Sequence, residues 1–381
     1  MAWTAEEYLK HERSHDGVQA WQDAGYKGQG VKCWHMESPD SSHGVHCKNR
    51  ILQAAPEAEV TLATHHCLYD KKKVYEDWVV GDGRGFVEYV DAHGFDTISK
   101  SIGGGASRDN GLSRLMNSTK KNHKISFYAS AGNDGASGEA GSAIPEDVAM
   151  YVGACYIVPP DYKERSMTSY SSLSHTTGIV DFSDFTGNGE GTSFAAPYLA
   201  GKAALLIGRY GKLSQDEIYE YFKLNAVDIP TKYDKEDDGL PQYDRWSGWG
   251  QVVLPDPELD FIQVPIGSLV CKLNGNPLPT DTPAVIRNNR TFVPIRFISE
   301  ALGAYVDWDG RERSFTIKRR GHLTKAIIGE RTVYADGTPV EMDVAPFIYN
   351  DRSMVPVRFI AESLGCKVGW VEADREVLII G

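Results

Sequence analysis

A chain of 381 residues, with 41% hydrophobic and 24% charged side chains, has the make-up of an ordinary folded protein and is longer than one core usually serves, so two or three domains are expected. The formal charge of −12 is uneven: from Ile262 onward 15 Lys+Arg face 14 Asp+Glu, so the acidity lies in the first 261 residues, where nucleic acid is excluded for want of clustered cations. Apolar runs such as KAALLIG near Leu205 are too short to span a bilayer, and the polar start MAWTAEEYLKHERSHDG shows no signal peptide.

Along the front part, strand-like and helix-like runs alternate. GVKCWHM is a compact apolar segment, HGVHCKNRIL has helical spacing, and AEVTLAT is strand-like. DTISKSIGG and KISFYASAGN are strands that run into glycine, VAMYVGACY is another strand, and SFAAPYLAGKAALLIGRYG and SQDEIYEYFKLNA are helical. This alternation predicts an α/β fold with a mostly parallel sheet and helices on both faces, whose site residues gather at the carboxyl ends of the strands. The six cysteines (33, 47, 67, 155, 271, 366) form no CxxC pair and read mostly as free buried thiols.

The back part repeats itself at an offset of 62 residues. NNRTFVPIRFISEALGAYVDW from Asn288 matches NDRSMVPVRFIAESLGCKVGW from Asn350 at 12 of 21 positions, and NGNPL at Asn274 parallels DGTPV at Asp336. Each unit reads as a hairpin, a helix and a further strand, with Pro294 and Pro356 in the first helical turn and Gly303 and Gly365 just past its end. The expected division is 1–261 and 262–381, the latter a smaller α+β domain of two repeats, about 265–321 and 327–381. The recurring Arg296/Arg358 and Trp308/Trp370 are expected as core and structural pairings, with a ligand surface as the alternative.

Three separated strings in the front part make chemical sense together: HGVH at His43, SAGND with Asn133 just past a strand, and GTSFAAP with Ser193 opening an apolar helix. A serine hydroxyl needs a base within hydrogen-bond reach, and that base needs a partner that fixes its tautomer. A helix start lends positive potential to an anionic intermediate, and an amide such as that of Asn133 can donate to it.

In these strings the first ~260 residues resemble a subtilisin-like serine protease (subtilase). GYKGQGVKCWHMES is similar to the family's lead-in to its acid-bearing strand, HGVH to its HGTH motif, SIGGG to its SLGG substrate-binding segment, SAGND to its AAGN motif, and GTSFAAPYLAG to its GTSMA(S/T)PHVAG motif. The resemblance implies a serine endopeptidase acting on polypeptides, with Ser193 as nucleophile, His43 as general base, Asn133 as oxyanion donor and Glu37 at the acid position. It further implies Ser101, Ile102, Gly103 and Gly104 as one substrate-binding edge, with Ala131 and Gly132 as the other wall of the primary pocket. No cofactor is required; the family often carries structural Ca²⁺, for which the acidic run Asp234–Asp238 lacks a recognised loop spacing, and no catalytic metal is expected.

Two departures stand out. Glu37 replaces the usual aspartate, with Asp40 as another carboxylate nearby, and only five residues separate Glu37 from His43. Six Cα steps reach roughly 20 Å, which suffices for groups that must touch. A scaffold that binds peptides without turnover is the alternative function. The back repeats resemble the copper amine oxidase N-terminal-like (stalk) domain of Gram-positive bacterial proteins, which implies a spacer or a module for a cell-surface or other protein partner. With His322 the one histidine after Ile262, the region has no imidazole cluster for copper. Both resemblances point to exported or released bacterial or phage modules, while the six cysteines leave a cytoplasmic location open.

Overall fold

The computed structural model describes residues 5–63, 84–101, 111–135, 148–157, 165–172, 179–182, 191–230 and 247–381. Ile102, Gly103, Gly104, Cys67 and the run Asp234–Asp238 lie outside them. The chain falls into two compact units, Met1–Pro257 and Glu258–Gly381.

The first unit is built on a sheet of nine strands among its described residues. After helices α1 (Ala5–His15) and α2 (Val18–Asp23) come β1 (Lys32–His35), α3 (Ser42–Ala54), β2 (Glu59–Leu62), α4 (Arg84–His93) and β3 (Thr97–Lys100). Then follow α5 (Gly111–His123), β4 (Ser126–Ser130), β5 (Met150–Ile157), β6 (Arg165–Met167), β7 (Ile179–Phe182), α6 (Thr192–Tyr210), α7 (Gln215–Leu224), β8 (Ala226–Val227) and β9 (Gln251–Val252).

The strand order is β2-β1-β3-β4-β5-β7-β9-β8, parallel from β2 to β9, with β6 and β8 added antiparallel. The chain steps from β1 outward to β2, then crosses back to lay β3 on the other side of β1. That reversal is a topological switch point, and it opens a crevice beyond the carboxyl ends of β1 and β3.

Helix α6 runs through the centre of the unit with most of its length buried, as its alanine- and leucine-rich sequence requires. It carries a buried lysine: Lys202 Nζ lies 2.9 Å from Asp16 Oδ2 and 2.8 Å from Asp181 Oδ1 and from the Val252 carbonyl, all three charged side chains fully buried. Nearby, Arg50 of α3 forks onto Glu12 of α1 at 3.0 and 3.1 Å and stacks over the Tyr198 ring. Burial of such charges is tolerated because each meets an opposite charge. The paired groups tie α1, α3 and β7 to α6.

The second unit holds three antiparallel sheets. Its strands are β10 (Phe261–Pro265), β11 (Val270–Leu273), β12 (Asn276–Pro279), β13 (Val285–Arg287), β14 (Arg290–Pro294), β15 (Tyr305–Asp309), β16 (Ser314–Arg319), β17 (His322–Ile327), β18 (Thr332–Ala335), β19 (Thr338–Glu341), β20 (Phe347–Tyr349), β21 (Arg352–Pro356), β22 (Lys367–Val371) and β23 (Glu376–Ile380). Helices α8 (Ile295–Ala301) and α9 (Val357–Ser363) follow β14 and β21. The sheets run β12-β11-β10-β23-β22, β13-β14-β21-β20 and β15-β16-β17-β18-β19.

Repeat one therefore opens in the first of these sheets and closes in the third; repeat two opens in the third and closes in the first. At the centre β14 and β21 pair antiparallel, Phe292 with Pro356, Val293 with Val355 and Pro294 with Met354. At the 62-residue offset this register is self-complementary, so a local two-fold axis passes between Val293 and Val355.

Gly303 and Gly365 follow the C-caps of α8 and α9 with positive φ, as expected of glycine there. Pro294 and Pro356 sit one step earlier than the first turn, as extended N-cap residues ending the preceding strands. The repeated arginines Arg296 and Arg358 are not core, their side chains 66% and 63% exposed, and the tryptophans differ: Trp308 is 40% exposed, whereas Trp370 is partly buried and packs against the core. The core of the unit is instead aliphatic, around Val293, Ile298, Ile317, Val355, Ile360 and Ile379.

Candidate active site

Glu37 leaves the carboxyl end of β1 two residues after His35, so the two side chains share a face. The short loop after it is held by Ser41, the N-cap of α3, whose hydroxyl oxygen accepts from the Gly44 N–H at 3.1 Å while its O–H donates to Glu37 Oε1 at 2.8 Å. His43, in the first turn, points back at the same carboxylate: Nδ1 lies 2.8 Å from Oε2 and 3.0 Å from Oε1. A side chain at Gly44 would not fit, because its Cβ would stand 2.9 Å from the Ser38 carbonyl oxygen and 3.2 Å from Glu37 Cγ. Asp40 is exposed and takes no part in this contact.

Burial pushes the Glu37 carboxyl up, but His35, Ser41 and His43 outweigh it and hold its pKa at about 2. The acid is therefore ionised and acts as an acceptor. That selects the His43 tautomer with its proton on Nδ1, and leaves Nε2 to accept. His35 is fully buried, its Nδ1 2.8 Å from Ser99 Oγ and its Nε2 facing Glu37 Oε2 at 3.6 Å, too long for a hydrogen bond. Burial pushes its imidazole pKa down, so it faces the carboxylate neutral.

Ser193 is the second residue of α6. Pro197 four residues on lacks the N–H that would bond the Ser193 carbonyl in the helix. That carbonyl is taken up from outside, by Ser101 Oγ at 2.6 Å and the Cys47 thiol at 3.3 Å. These bonds pin the start of α6 to the end of β3 and to α3. The Cys47 sulfur also lies 3.9 and 4.0 Å from the two ring nitrogens of His43, and the His43 and Phe194 rings are 5.3 Å apart. Burial pushes the Cys47 thiol up to about 12, so it stays protonated and is no rival nucleophile.

The Ser193 hydroxyl donates to the Ser101 carbonyl at 3.0 Å, and no hydrogen bond joins it to His43. Asn133, exposed beyond β4, is fixed by its oxygen: Oδ1 accepts from the Thr192 N–H at 2.9 Å and the Thr192 hydroxyl at 3.0 Å. Since a backbone N–H can only donate, the amide orientation is settled and Nδ2 faces away as a donor. Gly191 caps α6 at φ 155, a left-handed value that favours glycine. A Cβ there would lie 3.2 Å from Asn133 Nδ2 and 3.7 Å from the Ser193 nitrogen, so its absence leaves an open point between two donors.

The structure thus brings together Ser193, His43, Glu37, Asn133 and Ser101. Ala131 is fully buried with its methyl in the core, and Gly132 is half-buried, its N–H donating to Thr192 Oγ1 at 3.1 Å. His35, Ser41 and Cys47 shape the site and did not stand out in the sequence, while Thr192 and Pro197 also shape it and lie inside the GTSFAAP string without having been given a role there. Available signals were a histidine two residues before the acid on a strand, and a proline four residues after the serine in a helix.

Among the described residues one group could hold a metal: His35, Glu37 and Cys47, with ligand atoms within 4.8 Å of one another. A nitrogen, oxygen and sulfur set suits a borderline cation rather than Ca²⁺, and binding there would compete with His43 for the carboxylate. In the second unit the single histidine, His322, is bonded to Asp336 at 3.0 Å, so its donors do not fit copper.

A family model described as the copper amine oxidase N-terminal domain matches residues 262–379. Among individual proteins, subtilisin DY of Bacillus licheniformis is 27% identical over 161 residues, 39% of this chain and 55% of that protein. An extracellular serine protease of Serratia marcescens is 34% identical over 82 residues, 22% of this chain and 7% of that protein. The chain thus spans about half or less of these curated relatives. Among solved structures, sphericase aligns with a TM-score of 0.40 at 22% identity, covering 53% of this chain and 70% of that one. The prenylagaramide maturation protease PagA aligns at 0.44 and 17%, covering 62% and 95%. The subtilase family model matches residues 37–250, more than half of the chain and all the residues gathered at the crevice, and the chain belongs to that family.

Proposed function

We propose that the first unit is a serine endopeptidase in which Ser193 is the nucleophile, His43 the general base, Glu37 the acid that holds it and Asn133 the oxyanion donor. The second unit serves as an accessory binding or spacer domain. The observation that carries this reading is the two-oxygen grip of Glu37 on His43 Nδ1, beside a helix start that presents Ser193 and a free amide donor. Replacing aspartate by glutamate lengthens the acid by one methylene, and the short loop, closed by Gly44 and Ser41, brings the histidine to it.

In this mechanism an extended peptide adds along the Ser101 edge. Its backbone N–H takes the Ser101 carbonyl, which now accepts from Ser193, and the released hydroxyl turns about χ1 to His43. Nε2 removes the hydroxyl proton as Oγ attacks the scissile carbonyl carbon. The resulting oxyanion is met by Asn133 Nδ2 and the Ser193 N–H, in the space left by Gly191. His43 then passes its proton to the departing amine, and water hydrolyses the acyl-serine by the same route in reverse. Glu37 stays ionised and steadies the imidazolium throughout. Catalytic hydrogen bonds are often unformed without substrate, which accounts for the present position of the hydroxyl.

The hydrogen bond from Ser193 to Ser101 favours a second reading, a cleft that binds peptides without turnover. Labelling with a fluorophosphonate probe separates the two. Wild type should label, Ser193→Ala should not, and His43→Ala and Glu37→Gln should label far more slowly. A folded wild type that fails to label would leave the binding scaffold.

A further inference from the structure

The local two-fold of the second unit produces two clefts, of about 540 and 880 Å³, within the range of ligand sites. In the first, Arg296, Glu300 and Trp308 of repeat one face Ile348 and Arg352 of repeat two, with Asp281 at the rim. In the second, Arg358, Glu362 and Trp370 face Ile286 and Arg290, with Asp343 at the rim. At the 62-residue offset all six positions coincide and all six residue types are the same.

Packing does not account for this. Glu300 and Glu362 side chains are 67% and 55% exposed, those of Arg352 and Asp281 47% and 59%. The pairs Arg352–Asp281 and Arg290–Asp343 bridge the repeats at the surface, where water and salt screen an ion pair and leave it little stabilising effect. Trp308, 40% exposed, gains less from the fold than a buried indole would; Trp370 is partly buried against the core and still lines its cleft.

We propose that the two clefts are equivalent binding sites for neutral sugar residues of a glycan chain. The chemistry of the lining chooses the occupant. Trp308 and Trp370 offer flat apolar faces of the kind that cover one face of a pyranose ring. Around them guanidinium groups only donate and carboxylates only accept, so a ligand must do both at adjacent atoms, as neighbouring hydroxyls do. Three acidic and two basic side chains line the first cleft, four and three the second, so neither attracts a polyanion or a polycation. Because the sites are related by a two-fold, one directional chain would meet them in opposite senses. They suit two neighbouring chains that run in opposite directions, as antiparallel strands of an insoluble polysaccharide do, where the second contact adds avidity. The inference stands apart from the peptidase reading.

The test uses the full chain carrying Ser193→Ala, to keep it whole, in depletion assays on insoluble cellulose and chitin, which separate plain from N-acetylated glycans. Retention on at least one is expected. Trp308→Ala and Trp370→Ala should each weaken it by about tenfold or more through lost bivalency, and the double variant should not be retained. Arg296→Ala with Arg358→Ala, both exposed, should weaken it with the melting temperature unchanged, which guards against misfolded tryptophan variants. Retention on neither polysaccharide, retention undiminished in both double variants, or displacement by an extended proline-rich peptide but not by cellohexaose or chitohexaose would overturn the proposal.

Discussion

The crevice of the first unit and the clefts of the second are assembled in opposite ways. Around the crevice, Glu37, His43, Ser101, Asn133 and Ser193 come from four segments of the chain, and each occurs once. Each also leans on a neighbour: Ser41 on Glu37, Thr192 on Asn133, Ser101 and Cys47 on the Ser193 carbonyl. The clefts arise by repetition across an antiparallel strand pair, so each residue has a counterpart and either cleft survives loss of the other. A one-copy site should therefore fail as a unit, and a two-copy surface by halves.

The largest effect expected is at the acid. Glu37→Gln keeps the shape but removes the charge that selects the His43 tautomer, and kcat should fall by about 10⁴-fold; turnover within tenfold of wild type would break the comparison at its first member. Next is the buried cluster. Lys202→Met leaves Asp16 and Asp181 without their shared cation, and denaturant titration should show a loss of about 3–5 kcal/mol, confined to the first unit. Asn133→Ala should lower kcat by about 10²–10³-fold with little change in KM, because in the proposed mechanism its amide is used only by the transition state.

A smaller effect sharpens the comparison through pH. Glu37 is depressed from 4.5 to about 2 in the folded chain, so its contribution is fully present above 4.5 and is lost as pH falls through 2, about 3 kcal/mol at most. Over that window Glu37→Gln should lose stability less steeply than wild type, and parallel curves would remove the linkage. Smallest is His35→Val, expected to cost about tenfold in kcat with KM unchanged, since His35 only steadies the far side of the carboxylate. His35→Gln should restore part of the loss; no restoration, together with a lowered melting temperature, would make the residue merely structural.

Much of this was legible in the residues. Strand-helix alternation announced the parallel sheet because apolar runs of strand length between helices can bury both faces in no other common way. The 62-residue repeat announced two like units. His43 and Ser193 stood out because the motifs around them are short, local and tied to helix starts. His35 passed as one more residue of an apolar strand, since a period of two places it beside Glu37 only once the strand end is known.

By itself the sequence determined the order of elements, the two repeats, and the presence of one serine, one histidine and one acid in segments that end strands or begin helices, because these follow from local periodicity and capping chemistry. Only the tertiary structure decided which carboxylate holds His43, where the Ser193 hydroxyl rests, how Lys202 is neutralised, and that Trp308 and Trp370 line clefts. Those outcomes depend on segments far apart in the chain, whose meeting is set by sheet order and by the register of β14 on β21, and no local pattern encodes either.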